Sequence, residues 1–121
     1  MASYRDLIAW QKGMQLVIKV YEATRTFPRE EVYGLTSQIR RSAVSIPSNI
    51  AEGHGRNTNR DRQYFVCTAR GSALELETQI EISKNLGYLK EEQAKELMEL
   101  ADEVGRITNG LLKSLRVKED S

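Results

Sequence analysis

The chain has 121 residues, is 40% apolar and only 7% aromatic, and its 18 bases and 17 acids leave a net charge of +1. That length supports a single domain spanning residues 1–121 whose core needs no staple. A lone cysteine excludes an internal disulfide and fits a reducing cytoplasm, and no apolar run approaches the ~18 residues that cross a bilayer.

The opening MASYRDLIAW carries Asp6 and lacks the apolar stretch of a secretory leader. A first helix is predicted from about Asp6 to Thr26. Leu7, Trp10, Met14, Val17 and Tyr21 share one arc, with Ile18 at its edge, and are assigned to the core. Ala9, Leu16, Val20 and Ala23 form a second arc. Phe27-Pro28 ends the helix, because the residue before proline is biased away from helical angles. Pro28 to Glu31 suits a short turn with proline at its first position, and Gly34 leaves the start of the second helix uncertain by several residues.

In the second helix Leu35, Ile39, Ala43, Ile46 and Ile50 recur at steps of four, four, three and four, within one narrow arc. Arg41 and Ser48 project opposite. Pro47 has no amide hydrogen and crowds the carbonyl four residues back, so a kink is expected near Ala43 to Ser48. Serines 42, 45 and 48 are candidates to bond carbonyls there. Val44, Pro47 and Ala51 make a second stripe. Gly53 and Gly55 are expected to break the helix around His54.

Asn57, Thr58 and Asn59 are all N-cap types, which places the third helix from about Asn59 to Asn85 or Leu86, with Gly87 as its C-terminal cap. Phe65, Ala69, Ser72, Leu76 and Ile80 form its core face. Tyr64, Cys67, Gly71, Leu74 and Thr78 form a second stripe rich in small residues. Leu89-Lys90-Glu91-Glu92 starts a fourth helix. It carries Leu97, Leu100, Val104, Ile107, Leu111 and Leu115 in a three-four rhythm, and its outer face is charged. Met98 and Leu112 stand outside that rhythm, and Val117 to Ser121 are expected to fray.

Four helices with short connections define an all-α, up-down-up-down antiparallel four-helix bundle, with a three-helix bundle as the fallback. Two apolar faces on three of the helices leave a lone subunit unfinished. Leu16, Val20, Val44, Pro47, Tyr64, Cys67, Gly71 and Leu74 are therefore assigned to an interface between copies.

The charge is uneven. Residues 40–70 hold Arg40, Arg41, Arg56, Arg60, Arg62 and Arg70 against Glu52 and Asp61, a balance of +4, whereas residues 71–121 sum to −4. Guanidinium forks suit phosphate, so these six arginines are the candidate contacts to an RNA or DNA backbone. They suit carboxylates such as Glu75 and Glu81 equally well. That alternative gives a protein-interaction scaffold with no nucleic-acid role. The sequence pI of about 7.8 lies below the ~9 of a dedicated basic binder. Only Tyr64 offers stacking nearby, which favours backbone over splayed bases.

Catalytic and cofactor chemistry finds no constellation. His54 and Cys67 are single, and zinc takes four ligands. Glu52, Glu75, Glu77 and Glu81 lack the Glu-x-x-His pairs of a di-iron bundle. Gly53-His54-Gly55 is too short for a phosphate loop. No metal, cofactor, small-molecule substrate or enzymatic activity is expected, unless an assembly gathers His54 from several copies.

YGLTSQIRRSAVSIPSNIAEGHGR, followed by GSALELETQIEISKNLGYL, resembles the four-helix-bundle family named for the 23S ribosomal RNA intervening sequence. LIAWQKGMQLVIKVYEATRTFP also fits, so the likeness covers nearly the whole chain. The family consists of small bacterial proteins and is similar to the accessory protein of diversity-generating retroelements. The resemblance implies a ring-shaped homopentamer and nucleic-acid binding.

Overall fold

The computed structural model describes residues 3–120, with side chains described through Arg116. It contains α1 (Ile8–Thr24), α2 (Leu35–His54), α3 (Asn59–Asn85) and α4 (Glu91–Asp120), and no strand among the described residues. Local chemistry sets the boundaries. Ser3 Oγ accepts from the Arg5 amide at 3.1 Å and the Asp6 carboxylate accepts from the Ser3 amide at 3.1 Å. This capping box closes a 3-10 turn over Tyr4–Asp6 and delays α1 to Ile8. Thr58 Oγ1 accepts from the Asp61 amide at 3.1 Å and starts α3 at the predicted residue. Gly87, at φ 80°, lets its own amide reach Lys84 O at 3.0 Å and that of Tyr88 reach Ser83 O at 2.9 Å. This double closure is the Schellman end of α3. Gln93 Oε1 then accepts from the Lys90 amide at 3.0 Å at the entry to α4. Pro28 sits one residue earlier than predicted, as the cap of a 3-10 turn over Arg29–Glu31. α4 stays helical past Val117, to Asp120; Ser121 lies outside the described residues.

Each helix packs on two neighbours, α1 and α3 both against α2 and α4, and among the described residues neither diagonal pair brings Cα atoms within 8 Å, so the diagonals meet only through core side chains. The contacts run in opposite senses. Gly13 meets Pro47 while Thr24 meets Arg40; Ser45 meets Ser72 while Gly53 meets Phe65; Lys12 meets Glu103 while Lys19 meets Glu96. The bundle is antiparallel throughout. Its 17-, 20-, 27- and 30-residue helices span about 26, 30, 40 and 45 Å, so α3 and α4 outrun the others. The overhang lies at the end where α2 turns into α3, and there Val66, Leu112 and Leu115 form a small apolar cluster separate from the main core.

α2 and α3 bury most of the faces the periodicity predicts, including Ile39, Ile46, Ile50, Leu76 and Ile80, but Phe65 is only half-buried and its neighbour Val66 takes the buried position. α1 is rotated from the predicted orientation. Leu16 and Val20 are 0% exposed, at the heart of the core, and Leu7, Trp10 and Val17 of the predicted arc pack partly buried against it, while Met14, Ile18 and Tyr21 face outward. Leu16 and Val20 are thus corrected from interface to core. The cause is close packing: a Cβ on Gly13 would stand 3.4 Å from both Pro47 Cβ and Pro47 Cδ. The face with the smallest residues, Ala9, Gly13 and Ala23, approaches its neighbour most closely and takes Leu16 and Val20 in with it.

Pro47 is corrected likewise, since its ring is buried against Gly13 rather than offered to another copy. α2 is helical through Pro47 without interruption. Asn49 Nδ2, not a serine hydroxyl, donates to the Ser45 carbonyl at 2.8 Å beside it. Gly53 also stays helical. A Cβ there would lie 2.9 Å from Phe65 Cβ, so glycine serves close approach of α2 to α3, and the helix ends instead at Gly55. On α4 the buried seam shifts to Ala101, Val104, Thr108 and Leu112, leaving Leu100, Ile107 and Leu111 half-buried.

Candidate nucleic-acid interface

The six predicted arginines do not converge on one face. Arg40 turns toward α1, where its Nε donates to Thr24 Oγ1 at 2.9 Å and its guanidinium lies 4.5 Å from the Tyr21 ring centroid. Thr24 can accept because its own hydroxyl donates to Val20 O at 2.8 Å. Arg41, one residue on, projects about 100° round the helix into the seam between α2 and α3. Arg70 leans to α4, reaching Asn109 Oδ1 at 3.5 Å. It shares that seam with Glu77, Asp102 and Arg106. Burial, and then the nearby Asp102 charge, push the Glu77 carboxyl above its ordinary value of 4.5.

Arg56, Arg60 and Arg62 do come together, at the turn joining α2 to α3. Arg56 bonds Glu52 at 3.0 Å and stacks 4.4 Å over the Phe65 ring, and Arg62 donates to Asn59 at 3.0 Å. Arg60 is exposed, with no hydrogen bond or ion pair to another described residue. The antiparallel return of α4 brings two bases that segment sums conceal. Leu112 and Leu115 pack on Val66, so the exposed Lys113 and Arg116 stand at the same end as Arg60 and Arg62. The signal was a local one: 105–116 holds Arg106, Lys113 and Arg116 and no acid, inside a segment whose total is −4.

The remaining interface residues divide. Val44 of α2 is 39% exposed, Tyr64 and Leu74 of α3 are 66% and 59% exposed, and Gly71 is exposed between the latter two in the α3 sequence. Cys67 is half-buried, packed on the Val66 cluster as a reduced thiol. His54 is exposed at the end of α2, and no group of three His, Cys, Asp or Glu side chains among the described residues is arranged to hold a metal. No helix among the described residues is long and apolar enough to cross a membrane.

Fold and surface together define a small antiparallel helical bundle with one basic end and apolar residues left outside its core. The chain belongs to the 23S rRNA-intervening sequence protein family, whose profile matches residues 5–110. Its fold is similar to a crystal structure, at 1.70 Å resolution, of a protein of unknown function from the S23 ribosomal protein family of Bacteroides thetaiotaomicron VPI-5482. The two superpose with a TM-score of 0.79 at 20% sequence identity, over 88% of this chain and 99% of the other. Neither description names a catalytic activity. No curated protein matches the chain.

Proposed function

We propose that the chain is a non-enzymatic bundle that assembles with copies of itself and binds the sugar-phosphate backbone of RNA or DNA through its basic end. The observation that carries this reading is the gathering of Arg56, Arg60 and Arg62 with Lys113 and Arg116 where α3 and α4 outrun the other helices. Bases held on rigid helices lose little freedom on meeting phosphate.

Assembly is supported by two unlike apolar faces. One is on α3 (Tyr64, Leu74 and Ile82) and the other on the diagonally opposite α1 with its neighbour α2 (Met14, Ile18, Tyr21 and Val44). Unlike faces meeting head to tail form a heterologous contact, which closes into a ring when the rotation allows. The fivefold ring implied by the family resemblance fits that scheme, and a ring multiplies the basic ends and focuses their field. The same apolar faces also suit a scaffold for protein partners, which a nuclease-insensitive pull-down of one protein would favour.

Fluorescence anisotropy against an rRNA fragment, at 50 and 200 mM salt, tests the binding. Five phosphate contacts imply an affinity loss of about a hundredfold or more across that range, and Arg60→Ala with Arg62→Ala reduces both affinity and slope. No binding at low salt rejects the reading. Assembly is tested by light scattering: Leu74→Arg lowers the native mass while leaving helicity intact, and an unchanged mass counts against the α3 face.

A further inference from the structure

Between α2 and α3, nearer the end that holds the Phe27–Pro28 corner, lies a groove of about 480 Å³, within the range of small-ligand sites. Hydroxyls form its floor: Ser42 and Ser72 are buried, and Ser45 and Ser72 share a 2.8 Å hydrogen bond. Arg41 of α2 and Glu75 of α3 both line it, yet neither makes an ion pair with the other or with any described residue. Gln79 is only 8% exposed in the same wall, and its Oε1, itself closed off from the groove's solvent, has no hydrogen-bond partner. Tyr33, 95% exposed, stands at the rim. A free guanidinium, a free carboxylate, an amide short of a donor and an uncovered aromatic ring thus line one recess. Each is a group that gains from a complementary partner.

We infer that this groove is a subsite for one unstacked nucleotide whose base carries an amino group on its pairing edge. The inference rests on the nucleic-acid reading above and deepens it. Arg41 takes the phosphate through its planar fork. Glu75 and the Gln79 amide, once turned toward the ligand, accept from the amino group, as a carboxylate does from cytosine N4. Tyr33 stacks on the base face, as aromatic side chains do in single-strand recognition. Uracil presents a carbonyl where cytosine presents the amino group, so the carboxylate repels it. A paired base has its edge occupied and does not enter. The aromatic partner is one the charge-rich segment itself did not supply. Tyr33 precedes that segment and reaches the groove because α2 begins only at Leu35.

Amide NMR titration of the intact chain with CMP and UMP tests this. CMP is expected to shift Ser45, Ser72 and Gln79 and to bind about fivefold more tightly than UMP. Arg41→Ala weakens both ligands, and Glu75→Gln brings them within about twofold, because an amide serves either edge. Both substituted residues are exposed, so the fold is retained. Equal affinity for CMP and UMP, shifts clustered elsewhere, or a silent groove at saturating CMP overturns the subsite. Duplex RNA binding, weakened on Arg60→Ala with Arg62→Ala, is measured alongside. If it persists while the groove is silent, the subsite alone falls; if it is absent as well, the broader reading falls with it.

Discussion

The two ends of the bundle are built on opposite plans. At the end shared by the α1–α2 and α3–α4 connections, the loops fasten to each other. The Phe27 and Tyr88 rings lie 5.5 Å apart, and the Tyr88 hydroxyl donates to Glu31 Oε2 at 3.0 Å. Glu31 Oε1 in turn accepts from the Leu35 amide at 3.2 Å, capping α2. One carboxylate therefore joins two connections far apart in sequence. At the other end α3 and α4 share a separate three-residue buried cluster beside the last turn of α2, and the bases there are mostly turned to water. A carboxylate spent on a cap and a phenol no longer faces a ligand, whereas an arginine left on an overhang still does. The fastened end holds the fold, and the open end carries what remains to be bound.

Deletions of equal size should separate the two ends most sharply. Leu89 is 4% exposed in the main core and Leu112 is 1% exposed in the small cluster. Leu89→Ala should cost about 3–5 kcal/mol and lower the global melting temperature. Leu112→Ala should cost about 2 kcal/mol or less, because a cluster at an overhang can relax, with hydrogen-exchange protection lost only near 59–66 and 109–116. Equal melting losses would erase the distinction. Gly53→Ala comes next. Its new methyl must displace Phe65, so a loss of about 1–3 kcal/mol by urea denaturation is expected. No loss would mean that the α2–α3 crossing yields freely. Arg56→Ala should cost only about 0.5–1 kcal/mol, from its contact with Phe65.

The smallest effect is in alkali. The bond to Glu31, with burial and nearby acid charge adding, holds the Tyr88 phenol above its ordinary value of 10.0. A group raised in the folded state stabilises below its unfolded pKa, and that contribution fades as pH climbs through the folded value. Melting of the native chain should therefore decline more steeply above pH 10 than melting of Tyr88→Phe. Parallel curves would show the clasp to be idle.

How much of this was legible depends on what each residue must do locally. Thr58 and Gly87 were readable because a cap needs only its own few neighbours. The α2 and α3 cores were readable because their large residues sit on the buried side. α1 was not, because it carries two comparable apolar arcs, and the choice between them is made by Gly13, whose contribution is the absence of a side chain opposite Pro47. The same limit applies to the arginines. Arg40 and Arg41 are adjacent in sequence but point into different seams, while Lys113 and Arg116 join Arg60 and Arg62 only through the return of α4. Charge summed along a chain does not record which helix comes back alongside.

The turn at Gly55–Asn57 is held chiefly by backbone hydrogen bonds from Gly55 and Arg56 to the end of α2, while Thr58 supplies the cap that starts α3. New chain entering there leaves the Phe27–Tyr88 clasp untouched and puts at risk only side-chain contacts local to the turn, among them those of Arg56 with Glu52 and Phe65. Insertions, grafted epitopes or a circular permutation should be accepted between Gly55 and Asn57 and refused between Leu86 and Lys90, which makes this corner the natural place for the bundle to gain length.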